Sequence, residues 1–123
     1  MLRGCEATVD IFEEIGRVKR EGGIAALATI VEGESGTPGK AGFRMLVYPD
    51  GRISGTVGGG LLEMKVREEA LRCIHEKKTK LVELTLDAES TEGIGMRCGG
   101  KVRIFLEPIE GAPKLYVFGG GHI

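Results

Sequence analysis

The residues best suited to chemistry lie in glycine-rich stretches. The first is Gly55-Thr56-Val57-Gly58-Gly59-Gly60-Leu61-Leu62-Glu63, where a strand-like run, Arg52 to Val57, meets an amphipathic stretch starting near Leu61. Glycine lacks a Cβ, so such a turn can take positive φ and admit another group close to the backbone. The helix that follows would aim its unpaired N–H groups and positive dipole end at the same spot, and so make an anion seat. A tight β-to-α connection accounts for the same glycines equally well, since the stretch fits neither the P-loop nor G-x-G-x-x-G. The second is Gly93-Ile94-Gly95-Met96-Arg97-Cys98-Gly99-Gly100. A cysteine among glycines and beside an arginine is placed to be exposed and to ionise readily. The opposing reading is an inert packed thiol.

The other polar candidates have plain structural readings. Cys73 lies on the apolar side of its helix and reads as core, and Cys5 precedes the first helix with no specific role. His75 sits near a helix C-terminus, where a partly charged imidazole is mildly favourable. Glu63 in a first turn complements the dipole, or hydrogen-bonds the glycine turn or an amide-bearing ligand edge. Arg44, Arg52 and Arg103 alternate along strands and read as solvated faces. No Ser-His-Asp set, spaced His/Cys metal site or paired carboxylates with an argued geometry is visible, which points to binding and delivery more than to catalysis.

These residues need a frame to position them. With 123 residues there is room for one domain with a real core. Hydrophobic residues make up 41% and charged residues 28%, as in ordinary globular proteins. A net charge of −1, no basic block and 5% aromatics argue against a nucleic-acid surface. No apolar run reaches the ~20 residues of a spanning helix, and the N-terminus lacks a signal-peptide core, so no membrane association is expected. Three cysteines with no C-x-x-C fit a reducing compartment, so the expected localisation is cytoplasmic.

In chain order, Thr8 to Glu21 reads as a helix capped by Thr8, with Ile11, Ile15 and Val18 as its stripe, Phe12 beside it, and Gly22-Gly23 ending it. Ile24 to Val31 is apolar on both faces, the pattern of a buried central strand. Phe43 to Tyr48, the turn Pro49-Asp50-Gly51, and Arg52 to Val57 form a hairpin. Leu62, Val66, Ala70 and Ile74 give a helix of about four turns. Leu81 to Leu86 and Lys101 to Leu106 alternate as strands, and Pro108 to Pro113 reads as a linker. The expected fold is α+β (α/β-like), a mixed sheet of about five strands covered by two main helices near Thr8–Glu21 and Leu61–Lys77. Finally, Lys114-Leu115-Tyr116-Val117-Phe118 and Gly119-Gly120-Gly121-His122-Ile123 look like the first strand and glycine turn of a dinucleotide-binding unit, without its crossover helix.

The segments Ser35-Gly36-Thr37-Pro38, Gly42 to Val47, Gly55 to Glu63, Gly95 to Gly100 and Lys114 to Ile123 fall in one order. That order resembles the xanthine dehydrogenase accessory family, XdhC/CoxI, over nearly the whole chain from Ala25 onward. The resemblance implies an N-terminal family domain at 1–110, with 111–123 as a linker and the opening strand of a Rossmann domain. It implies an accessory protein, not an enzyme: a chaperone that binds molybdenum cofactor (molybdopterin), shields it and delivers it to an apo-molybdenum hydroxylase. The cofactor-binding positions it points to are Thr37, Lys40, Thr56, Gly58, Gly59, Gly60, Glu63, Arg97, Cys98, Gly99 and Gly100, with Cys98 as the soft ligand for the metal. Many relatives carry an arginine where this chain has Gly39, so Lys40 supplies that charge, and some carry a cysteine where it has Leu61. Expected partners are the hydroxylase client, a separate Rossmann domain and a second copy of the chain. A nucleotide-dependent oxidoreductase fragment or subunit and a non-catalytic interaction domain stand as alternatives. A shared site requires Gly58–Gly60 and Gly95–Gly100 to meet at one end of the sheet, and Leu115 to Phe118 are expected to be buried.

Overall fold

The computed structural model describes residues 10–34, 36, 37, 39–86 and 100–111. Its elements are α1 (Ile11–Glu21), β1 (Ile24–Gly33), β2 (Arg44–Val47), β3 (Ile53–Gly55), α2 (Gly60–Glu76), β4 (Lys80–Thr85) and β5 (Lys101–Glu110). The five strands form one sheet in the order β3-β2-β1-β5-β4. The expected α+β fold with five strands and two main helices is present. Each of the four pairings is antiparallel, which narrows the mixed sheet expected from sequence.

β1 is central, and its double-sided apolar pattern follows from having a helix layer on each face. Ala25 and Leu27 join Val18, Leu46 and Tyr48 on the α1 side, with Ile11, Ile15 and Ile109 packed against them. Ala26, Ala28 and Ile30 join Met45, Val47, Val102, Ile104 and Leu106 under Leu62, Val66, Ala70 and Cys73 of α2. Small residues in β1 let both helix layers approach the sheet, and burial of the flanking aliphatic side chains drives the assembly.

Several boundaries differ from the sequence reading, each for a local reason. α1 starts at Ile11 because Asp10, in extended conformation, accepts the Phe12 N–H at 3.0 Å and caps the helix. Thr8, the expected cap, lies outside the described residues. The supposed linker from Pro108 is strand as far as Glu110: Pro108, Ile109 and Glu110 pair with Ala26, Ala25 and Ile24. Pro108 has no N–H to donate to a ladder, which in sequence marks a strand end. The strand tolerates it because the neighbouring residues carry the ladder, and Ile109 is held by the α1 cluster. The expected strand Arg52–Val57 shortens to Ile53–Gly55: Gly55 takes φ of 79°, and the Thr56 N–H makes a last bond to the Arg44 carbonyl at 3.1 Å before the glycine turn.

The register places Gly58–Gly60 and Gly100. β1, β3 and β4 all run in one direction. They finish at the end of the sheet where β5 begins and α2 starts.

Candidate functional site

At that end, Gly58, Gly59 and Gly60 have φ of 128°, 83° and 63° and carry the chain from the sheet into α2. Side chains rarely adopt such angles, so the glycines are required by the turn's path. Gly59 is the N-cap, and no side chain caps the helix there. The first-turn amides of a 17-residue helix are therefore left to other partners, at the positive end of its dipole.

Thr56 and Glu63 bracket the turn. The Thr56 hydroxyl donates to the Glu63 carboxylate at 2.5 Å and accepts the Gly58 N–H at 3.0 Å. Glu63 thus reaches the glycine turn through Thr56, one of the roles the sequence allowed it. Its negative charge already complements the helix start, so an arriving anion competes with it.

The loop between β1 and β2 packs against this turn. A Cβ on Gly39 would lie 2.8 Å from the Leu62 side chain and 3.0 Å from the Val57 carbonyl oxygen, so only glycine fits the approach. Thr37 is 5% exposed. Its hydroxyl lies 2.7 Å from the Glu34 carbonyl and 3.2 Å from the Gly39 carbonyl, which makes it the loop's internal brace. Lys40 is exposed beside it. On the far side, a Cβ on Gly100 would come within 2.7 Å of Thr37, while the Lys101 N–H donates to the Glu34 carboxylate at 3.0 Å. Thr37, Lys40, Thr56, Gly58, Gly59, Gly60, Glu63 and Gly100 are therefore gathered along one end of the sheet. Arg97, Cys98 and Gly99, with the rest of Gly95–Gly99, lie outside the described residues. So do Cys5 and the 112–123 segment.

Cys73 is buried in the α2 layer, its thiol 3.1 Å from the Lys78 carbonyl oxygen, and burial pushes its pKa up. It is core, as its helix position implied. Among the described residues no group of three His, Cys, Asp or Glu is placed to hold a metal ion.

The arginines read as solvated faces have partners. Arg52 lies over the Tyr48 ring, 4.6 Å from its centroid, and pairs with Asp50 at 2.8 Å. Arg103 reaches Glu32 at 3.3 Å. Arg44 stands over the Phe12 ring at 5.2 Å and donates to the Gly42 carbonyl at 3.2 Å. Phe12, Phe43 and Arg44 line an open cleft of about 560 Å³ between the start of α1 and the β2–β3 hairpin. Sequence reasoning missed that cleft. Its one signal was Phe12, an aromatic residue lying off the helix's apolar stripe.

Set against known proteins, the antiparallel sheet between two helices recurs in a solved structure. It is similar, at a TM-score of 0.68 and 27% identity, to a chain described as a xanthine dehydrogenase from Bacillus halodurans. The match covers 83% of this chain and 31% of that one. Residues 18–85 match the XdhC and CoxI family, and the chain belongs to that family. It is also 34% identical over 115 residues to YqeB of Escherichia coli (strain K12), described as uncharacterized, covering 94% of this chain and 21% of that protein. The chain thus spans about a fifth and about a third of these two relatives' lengths.

Proposed function

We propose that this domain is an accessory protein that binds molybdenum cofactor and hands it to an apo-molybdenum hydroxylase. The observation that carries the reading is the convergence of the Glu34–Lys40 loop, the Gly58–Gly60 turn and Gly100 on the uncapped start of α2. The fit to a phosphate-bearing pterin cofactor is tested by that turn: the Gly58 N–H is held by Thr56, while Gly59 and Gly60, at positive φ and with open space where a Cβ would be, suit a phosphate. Gly59 and Gly60 would take the phosphate, Lys40 would add charge to offset Glu63, and Thr56, through the Gly58 N–H, would hold the turn's shape. Thr37 would act through the loop's conformation. Cys98, with Arg97 favouring its thiolate and Gly99 giving it room, would approach the metal centre. The cofactor supplies the molybdenum chemistry; the chain binds, shields and releases it.

Residues 111–123 belong, in the same reading, to a linker and the first strand and glycine turn of a Rossmann domain. The client hydroxylase, a Rossmann partner and a second copy of the chain are the partners proposed, in the cytoplasm. The solved relative's description as a xanthine dehydrogenase supports a link to that enzyme class, as accessory protein or as oxidoreductase subunit. An assay of apo-hydroxylase reconstitution separates the two roles. An accessory protein acts by transfer and leaves the active hydroxylase, whereas a subunit stays with it.

The direct test is retention of molybdopterin cofactor on gel filtration. Wild-type chain is expected to retain it and Cys98→Ser to lose most of it at unchanged circular dichroism. Equal retention by Cys98→Ser would remove the thiolate from the proposal, and no retention by wild type would remove the proposal itself.

A further inference from the structure

The two edges of the sheet are finished differently. β3 is three residues long and ends at Gly55, at a φ of 79°, so it offers little ladder to another chain. β4 runs for six residues, with neither proline nor glycine, in unbroken register with β5. Among the described residues no strand pairs with its outer edge. The Leu86 N–H donates to the Gly100 carbonyl at 2.8 Å, so by alternation the even-numbered residues of β4 bond to β5. Leu81, Glu83 and Thr85 therefore turn their N–H and C=O groups outward. A lysine often guards such an edge. Here Lys80 is drawn off to Glu76, 2.9 Å away.

Both faces of this edge are apolar. Leu81 is 55% exposed on the α1 side. On the α2 side Val82 and Leu84, with Leu71 and Ile74, are only half-buried against the core. The order of charges along the segment names the occupant. Lys77, Lys78 and Lys80 lead into the strand and Glu83 follows. A copy laid parallel and in register would set lysine on lysine and Glu83 on Glu83, whereas an antiparallel copy separates both. We propose that β4 pairs antiparallel with β4 of a second copy of this chain, about a two-fold axis through Val82, to make one continuous sheet. Val82 then meets the partner's Val82, and the outward N–H and C=O of Leu81 bond to the partner's Glu83. An axis at Glu83 would set like charges face to face, and an axis at Leu81 would set Val82 and Leu84 against lysines. The seam is short, so the dimer belongs to the weak, reversible class. The inference gives the second copy in the proposed function its surface; it rests on that reading for the copy's part in cofactor delivery and on the edge alone for the pairing.

The test uses the 123-residue chain. Sedimentation equilibrium at about 100 µM should show a dimer. Leu81→Glu sets a carboxylate opposite the partner's Glu83 and should raise the dimer Kd about tenfold. Leu81 is exposed, so the variant keeps the fold, which circular dichroism checks. Adding Glu83→Lys should restore the dimer. Val82→Cys should form a disulfide with its own copy under mild oxidation, because non-hydrogen-bonded pairs bring the two chains closest. Leu84→Cys should not, and wild type controls for the native cysteines. A wild-type monomer, whether its edge is free or covered by Lys114–Phe118, overturns the proposal. So does a dimer unmoved by Leu81→Glu, not restored by the added Glu83→Lys, or not cross-linked through Val82→Cys. Cofactor retention separates this from the parent reading. A dimer that retains no cofactor supports the edge and refutes the accessory role, and a monomer that retains cofactor does the reverse.

Discussion

Gly55 shows how one atom ties a helix to a hairpin. Its φ is 79°, and a Cβ there would sit 2.7 Å from the Arg44 carbonyl oxygen and 2.9 Å from Ile11 Cδ1. Gly55→Ala should therefore cost about 2–3 kcal/mol, read as a lowered urea midpoint, because strain and overpacking act together. The sequence marked Gly55 as the start of a glycine-rich turn, yet nothing in it says that Ile11 arrives from a helix more than 40 positions earlier. Glu14 and Tyr48 make a second long-range tie, with the Tyr48 hydroxyl donating to Glu14 at 2.5 Å and Arg17 reaching the same oxygen at 2.7 Å. The tyrosine bond first, then the arginine, holds the Glu14 carboxyl below its ordinary value. A lowered carboxyl pKa gives stability that is present above the unfolded value of about 4.3 and lost as pH falls through the folded one. Glu14→Gln should flatten part of the acid limb of a melting temperature–pH profile and leave the rest, since Asp50 and Glu76 are also held low by Arg52 and Lys80. Burial, then the Glu14 bond, raises the Tyr48 phenol, and that contribution is lost only as pH rises above about 10.

At the scale of elements, periodicity made the helices and strands legible and left their ends obscure. The i, i+4, i+7 stripe of α1 and the four-residue repeat of α2 are the buried faces observed, and the uniform apolarity of Ile24–Ile30 marked the central strand. The limits were set by pairing and capping, which single residues announce poorly. Asp10 caps where Thr8 was expected, and β5 continues through Pro108 because Ile24–Ala26 supply a partner. Truncation after Leu106 is accordingly expected to do more than trim a linker. It removes the pairing of β1's first residues and takes Ile109 from the α1 cluster. The loss should be about 2–4 kcal/mol, with amide exchange at Ile24–Leu27 accelerated ahead of the rest. Full protection there in the truncated chain would show that α1 alone holds that edge. The candidate site was legible in part: the glycine segments named it, but only the register of β1, β3, β4 and β5 shows that Gly58–Gly60 and Gly100 share an end of the sheet. The cleft was not legible, because Phe12 and Phe43 come from separate elements and carry no spacing signal.

For the molecule as a whole, the two sides of the sheet are unequal. α2 covers one face along the inner strands, whereas α1 is shorter and leaves Leu81 of β4 55% exposed on an outer strand. The large buried side chains accordingly gather in the α2 layer, and the polar network of Glu14, Arg17, Tyr48 and Arg52 gathers on the α1 side. β1 lies between β2, from which ten residues separate it in the chain, and β5, whose first residue, Lys101, comes 68 positions after Gly33. During synthesis, then, the hairpin side of the central strand can close early, while its other edge stays unpaired until Lys101–Glu110 has left the ribosome. A nascent chain halted before that point would display an open, alanine-rich strand flanked by apolar helix faces, the kind of surface that recruits chaperones or a neighbouring chain.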